Sequence, residues 1–349
     1  MLETEKKMKI NYNRLTPLFL GMAVVALILA AIGIWDVSTS PYSGYRLSAD
    51  YRVVGVDSGS PAAQAGVKVG DRITKIDAVS TERLYQLSKL SRADIGKAQK
   101  LALLREGKEF AATVTPTALP TENWILIRAR NLMGLLMIAI GYAVFKRRPG
   151  KEVSLFFLFN LFVALAFISP PYFESVGLRQ AVALNFLVFL TLGLAFFLHL
   201  TVIFPKPKPL VQDTPLELFI YGPVPLMTLA YSALRLFQPD ADLLLNLVLH
   251  HAFGLLLLMG LGFAVGAVAN SHWIAGDSER PASRTMLIGA LLGAIPVAVG
   301  LLTQSFLPYT ALPLSDYYAL PVILVTLSFG KALWQLKSTG EVGGLRRVA

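Results

Sequence analysis

The chain has 349 residues, of which 54% are hydrophobic and 15% charged, and its mean hydropathy is +0.57. Those values exclude an ordinary soluble protein of this length and indicate an integral membrane protein in contact with a lipid bilayer. The formal net charge is +10, but no basic stripe interleaved with aromatic residues occurs away from the apolar stretches. Nucleic-acid binding is therefore not expected. The sequence has no cysteine, so disulfides are excluded.

Apolar stretches predict the membrane-spanning helices. A helix needs roughly 20 mostly apolar residues to cross a hydrocarbon core about 30 Å thick. Eight stretches fit, which predicts a polytopic α-helical membrane protein with about eight transmembrane helices. They lie at 15–35, 125–145, 153–169, 181–204, 216–234, 243–269, 285–307 and 317–336. The first is longer than the apolar region of a signal peptide, which predicts an uncleaved anchor.

Short loops rich in lysine and arginine remain on the cytoplasmic side of a membrane. The basic residues of the short loops therefore predict the orientation of these helices. With an inside amino terminus, and leaving out the long segment between the first two helices, 16 basic residues lie inside and four lie outside: Arg128, Arg130, Arg179 and Arg235. Residues 1–14 and 337–349 are then cytoplasmic. The segment between the first two helices is then extracytoplasmic.

That outer segment has the pattern of a small α+β domain at residues 42–118. Short apolar runs alternate with turn residues, which predicts a strand at 51–57, a short helix closed by Gly66, and a strand at 72–77 with Ile73 and Ile76 inward. A longer helix is predicted to begin at Ser80 or Thr81. A hairpin with its turn at Gly107 completes the domain.

The segment 59–77, GSPAAQAGVKVGDRITKID, together with this order of elements, resembles the bacterial type of PDZ domain. The resemblance implies that an extended peptide or a protein C-terminus binds as an added strand between a sheet edge and the longer helix. A glycine-containing loop ahead of the first strand binds the terminal carboxylate in this family. The residues implied in peptide binding are Gly44, Tyr45, Arg46, Leu47, Leu84 and Leu87.

This chain departs from the family pattern at Arg46, which stands where the loop has its second glycine. Either Arg46 binds the carboxylate directly, or the loop has lost its usual form and the domain packs against its own membrane region. Leu84 and Leu87, with Leu90, either line the groove or belong to the core.

Polar and small residues mark the predicted helices. His250 and His251 form a candidate intramembrane polar site, because ionisable groups in spans are costly; the alternative is a neutral imidazole hydrogen-bonded to a neighbour. His199 is predicted to be interfacial. Two glycine pairs at four-residue spacing serve packing within the bundle or a homodimer: Gly262 with Gly266, and Gly289 with Gly293.

The segment 199–209, HLTVIFPKPKP, resembles a helix-ending signature in the multi-span input modules of some bacterial sensor histidine kinases. This resemblance implies a receptor that relays extracytoplasmic peptide binding through the helices to a cytoplasmic signalling partner. The alternatives are a membrane scaffold that recruits a protease or an envelope protein, and a transporter of a small molecule or lipid. A transporter would have a hydrated cavity near His250 and His251.

Catalytic patterns are missing from the sequence. A membrane metalloprotease places two zinc ligands and a base in H-E-x-x-H, but glutamate follows none of His199, His250, His251 and His272. The outer segment has no histidine for a serine protease triad. We therefore expect no catalytic residues, no metal and no cofactor, and expect that the protein is not an enzyme. The predicted location is the bacterial cytoplasmic membrane.

Overall fold

The computed structural model describes residues 11–38, 40–48, 50–82, 92–169, 172–173, 175–205, 208, 216–237, 243–306 and 317–335. The described chain contains a small α+β domain, which lies between the first and second long helices. The remaining long helices follow it in sequence. A mostly helical chain with a small domain of short sheets is therefore confirmed, while the extracytoplasmic placement of that domain stays a prediction.

The helices occupy all the stretches that the apolar pattern predicts. They are α1 (Thr16–Ser38), α2 (Pro61–Gln64), α3 (Thr121–Arg147), α4 (Lys151–Phe167), α5 (Val176–Ile203), α6 (Leu216–Tyr221), α7 (Pro223–Phe237), α8 (Leu243–Trp273), α9 (Arg280–Phe306) and α10 (Val322–Gln335). Short 3-10 turns precede α1 and α10.

Five helical stretches within the described residues are long and apolar enough to cross a membrane. They are Tyr12–Val37, Trp124–Arg147, His251–Trp273, Arg280–Thr303 and Tyr317–Gln335, and Val188–Ile203 is a shorter apolar helix. The count of eight spans therefore stays a prediction.

Aromatic side chains fill the centre of the helical region. Phe145, Phe156, Phe157 and Phe329 are fully buried, and the Phe19 ring of α1 stacks on that of Phe157 with centroids 4.6 Å apart. Lipid tails are as apolar as these side chains, so the hydrophobic effect does not drive helices together inside a bilayer. Close packing between side chains holds them together instead.

The two glycine pairs have different surroundings. A Cβ at Gly289 would collide with the Ser328 side chain, and one at Gly293 with Val325, so this pair lets α9 approach α10. A Cβ built at Gly262 or Gly266 of α8 would have no neighbouring atom within 4 Å among the described residues. Packing is therefore the role of the α9 pair.

The α+β domain consists of short antiparallel strands. They are β1 (Pro41–Tyr42), β2 (Tyr45–Leu47), β3 (Val53–Val56), β4 (Arg72–Ile76), β5 (Val79–Ser80), β6 (Gln99–Arg105), β7 (Lys108–Val114) and β8 (Thr117–Ala118). In the described chain the orders are β5-β4-β6-β7, β2-β3 and β1-β8. The core includes Val53, Ile73, Leu101, Leu103 and Val114.

Local sequence accounts for the turns of this domain. The Ser60 side chain accepts a hydrogen bond from the Ala63 N–H at 3.2 Å and caps α2, with Pro61 in the first turn. Gly66 then ends that helix with φ of +79°, as a left-handed cap requires. Both turn residues between β6 and β7, Glu106 and Gly107, have positive φ, which matches the twist of a tight hairpin.

The predicted strands, short helix and hairpin of the domain are thus confirmed, and Ile73 and Ile76 are buried. The predicted longer helix falls mainly on residues 83–91, which lie outside the described residues. Of its two candidate caps, Ser80 accepts a hydrogen bond from the Glu82 N–H. Thr81 instead donates to the Ile73 carbonyl at 2.6 Å.

Candidate functional site

The candidate site is the outer edge of strand β2. This strand pairs antiparallel with β3, with Tyr45 opposite Val56 and Arg46 opposite Gly55. Within the described residues β3 is its only strand neighbour. An edge of this kind offers backbone N–H and C=O groups to an added strand. The predicted opposite wall, with Leu84, Leu87 and Leu90, lies outside the described residues.

Gly44, directly before β2, has a structural role. Its φ is +79°, which favours glycine, and its carbonyl accepts a hydrogen bond from the Asp57 N–H at 2.9 Å. A Cβ at this position would overlap the Ser60 side chain. Backbone conformation and lack of space therefore both require glycine here.

Arg46, which departs from the family pattern, pairs with Asp57. Its Nη1 lies 2.8 Å from Asp57 Oδ1, while the Tyr42 hydroxyl donates to Asp57 Oδ2 at 2.7 Å. The guanidinium crosses Gly55, where a Cβ would collide with it. A guanidinium has five N–H donors, and the Arg46 side chain is 42% exposed. Exposed N–H donors of the guanidinium therefore lie above β3, beside Asp57.

Tyr45 and Leu47 lie on the opposite face of β2 from Arg46, as strand alternation requires. Both are partly buried against the domain core. Burial raises the pKa of the Tyr45 hydroxyl, and the Asp77 carboxylate adds to the shift. These two side chains hold the strand on the core.

A second charged pair fixes the turn ahead of β4. Asp71 is 1% exposed and accepts hydrogen bonds from Arg105 Nε at 2.7 Å and from the Lys68 N–H at 2.8 Å. Burial raises the pKa of the Asp71 carboxyl, but the hydrogen bond from Arg105 and that from Lys68 outweigh it, so the pKa lies below its ordinary value. The sequence did not predict the pairing of Asp71 with Arg105, because 34 residues separate the two.

The histidines of the helical region have different surroundings from those expected. His251 is half-buried, and the His250 side chain lies outside the described residues. His199, which we expected at an interface, is buried: its Nδ1 lies 2.9 Å from the Tyr221 hydroxyl and its Nε2 3.7 Å from a Glu217 oxygen. The described residues contain no group of three or more side chains suited to a metal ion.

A cavity of about 270 Å³ lies among the helices. Its described lining is mostly apolar and includes Arg130, Phe159, Leu257, Gly293 and Tyr318, but not His251. The transporter alternative predicts a hydrated cavity beside His250 and His251. The cavity observed among the described residues is a different one.

Comparison with known proteins identifies the α+β domain. Residues 52–105 match the family model described as PDZ domain, so this part of the chain is a PDZ domain. A protein of Mesorhizobium japonicum named "Putative zinc metalloprotease" is 30% identical over 95 residues, which are 27% of this chain and 25% of that protein. The chain thus spans about a quarter of the length of the curated relative it matches.

This relative contradicts the prediction that the chain is not an enzyme, because it is named as a metalloprotease. The prediction used the spacing of four histidines. A single motif tests only one arrangement of zinc ligands, and zinc also binds aspartate and glutamate oxygens.

Proposed function

We propose that the protein is a membrane-bound PDZ module that captures an extended peptide or a protein C-terminus, and that it thereby recruits a protease, its substrate or an envelope protein. The observation that carries the proposal is the edge of β2 that no other described strand occupies, on a strand that also carries the cation of Arg46. Backbone pairing supplies affinity without sequence preference, and a cation beside the strand end favours a free carboxylate.

The proposed setting is the bacterial cytoplasmic membrane, with about eight spans, both termini cytoplasmic and the PDZ domain outside. The basic residues of the loops support it. Tryptophans also favour both membrane interfaces: Trp35 and Trp124 stand at the helix ends nearest the PDZ domain, and Trp273 and Trp334 at the carboxyl ends of α8 and α10. The guanidinium of Arg147 lies 3.9 Å from the Trp334 ring centroid, beside other basic residues at the proposed inner end.

Recruitment for proteolysis is favoured over a sensory role by the similarity to a protein named as a metalloprotease. The relay to a cytoplasmic signalling partner rests on the resemblance of residues 199–209 alone and stays a prediction. The PDZ match covers residues 52–105, so the role of the helical region in recruitment is part of the proposal.

A peptide library tests the capture step. The full chain in lipid nanodiscs is exposed to random peptides with a free C-terminus and, separately, to the same peptides as C-terminal amides. We expect a restricted set of free-acid peptides to bind and the same peptides as C-terminal amides not to bind. A folded chain that selects neither form would contradict the proposal.

Recruitment is tested in cells from which the chain has been deleted. Membrane or envelope proteins that carry the selected C-terminal sequence should change in cleavage or abundance when the chain is absent. Restoring the chain with an intact β2 edge should reverse the change. Unchanged levels of every such protein would limit the function to binding and contradict recruitment.

A further inference from the structure

A cluster of contacts around Arg92 connects the PDZ domain with the helical region. Its Nη1 lies 2.8 Å from Asp36 Oδ1, and its Nη2 lies 3.2 Å from the Asp36 carbonyl oxygen and also reaches the Ser40 hydroxyl. The Arg92 N–H donates to the Tyr172 hydroxyl at 2.6 Å. The Tyr172 N–H in turn donates to Asp36 Oδ2 at 3.2 Å, so the three residues form a closed set that we call the Arg92 cluster.

The members of the Arg92 cluster come from distant parts of the chain. Asp36 lies in the last turn of α1, and Tyr172 lies between α4 and α5. Arg92 belongs to the inserted domain, directly after residues 83–91. The cluster therefore joins the domain to two separate places in the helical region.

A second connection exists at the base of the domain. Strands β1 and β8 form a two-stranded neck with two residue pairs, Pro41 with Ala118 and Tyr42 with Thr117. A ribbon this short allows the domain to rotate or tilt on its helices. The additional attachment at Arg92, away from the neck, removes that freedom.

The ion pair of the Arg92 cluster is partly exposed. The side chains of Arg92 and Asp36 are 21% and 25% exposed, so water and salt screen their charges in part. The Arg92 guanidinium also lies 5.3 Å from the Tyr172 ring centroid, which adds a cation–π contact. The ion pair and the cation–π contact of Arg92 together fix one geometry, but each contributes only modest stability.

We propose that Arg92 is a positioning residue that holds the PDZ domain, and with it the β2 edge, in one orientation relative to the helical region. Calling that edge peptide-binding rests on the proposed function. The positioning role rests on the contacts of Arg92 with Asp36 and Tyr172 alone.

Orientation is tested by distance measurement, for which the absence of cysteine in the chain is convenient. Spin labels are placed at K108C, in the exposed β6–β7 hairpin, and at L178C, an exposed position near the start of α5. In nanodiscs the unchanged chain should give one narrow distance distribution. The R92A variant should broaden it, and R92K should restore part of the narrow component.

The matched control is K97A, because Lys97 forms a highly exposed ion pair with Asp94, 3.4 Å apart, within the same domain. Its distribution should equal that of the unchanged chain. A narrow, unshifted distribution in R92A would overturn the positioning role of Arg92.

This test is independent of the proposed function. If no peptide binds to the full chain, the proposed function fails, while the distance distributions still decide whether Arg92 orients the domain.

Discussion

The PDZ domain and the helical region stabilise their buried polar groups in different ways. The PDZ domain uses a charged pair, Asp71 with Arg105, whose arginine side chain remains 30% exposed. The helical region contains two buried pairs of neutral side chains: the Thr326 hydroxyl donates to Asn160 Oδ1 at 2.6 Å, and the Asn131 side chain exchanges hydrogen bonds with Ser169.

The difference follows from the surroundings. A charge at the edge of a water-exposed domain keeps part of its hydration, whereas an ion in hydrocarbon has no such compensation. Neutral amides and hydroxyls satisfy each other across helices without that cost. Each region should therefore respond to a different kind of perturbation.

The largest effect is expected in the PDZ core. Leu103 is 1% exposed, and L103A should lower the free energy of unfolding of the domain by about 3 kcal/mol, because a cavity replaces a buried side chain. Pulse proteolysis of the full chain, with the domain followed separately from the helices, measures it. The exposed neighbour Lys100 gives the control K100A, and equal losses in both variants would contradict the assigned core.

Helix packing should give the next largest effect. G289V places a side chain against Ser328 of α10 and should destabilise the helical region by about 2 kcal/mol through overpacking. G262V is the matched control, since a Cβ at Gly262 has no neighbour within 4 Å in the described part of the chain. Thermal unfolding in detergent compares the two, and equal stabilities would show that the α9 glycines are not required for packing.

The neutral pair of the helical region should contribute less. N160A, T326V and the double variant form a mutant cycle, from which we expect a coupling of about 1 kcal/mol, as is usual for hydrogen bonds between membrane helices. The PDZ domain should be unaffected in all three variants. A coupling near zero would mean that the short Asn160–Thr326 contact has no net stabilising effect.

The charged pair of the PDZ domain predicts a pH dependence that the helical pair lacks. The pKa of Asp71 is lowered on folding, so its contribution is complete above the unfolded value of about 4 and is lost as pH falls through the lower folded value. The domain should lose stability below pH of about 4, and D71N should flatten this dependence. Unfolding measured from pH 7 to 3 checks it, and an unchanged slope in D71N would assign the effect to other carboxylates.

Sequence predicted the two regions to different depths. Turn residues such as Gly66 and Gly107 act locally, so the short helix and the hairpin of the PDZ domain followed from them. The partners of Arg46 and Asp71 did not, because 11 and 34 residues separate the pairs and only the folded sheet brings them together.

In the helical region apolar length predicted where helices occur, but contacts between helices have no local signal. Asn160 and Thr326 are 166 residues apart, and the burial of His199 depends on Tyr221 of another helix. The enzyme prediction, which used the zinc motif and the serine protease triad, is contradicted by the similarity to a protein named as a metalloprotease.

The central claim is carboxylate-dependent capture at the β2 edge, and calorimetric titration of one selected peptide into the full chain tests it directly. The free acid should bind and its amide should not, and R46A should weaken the free acid about tenfold, equivalent to about 1.4 kcal/mol. R52A is the matched control, because Arg52 also forms a half-exposed ion pair in the domain, with Asp50. The R52A variant should bind the free acid normally. Equal binding of acid and amide, or equal losses in R46A and R52A, would contradict the account.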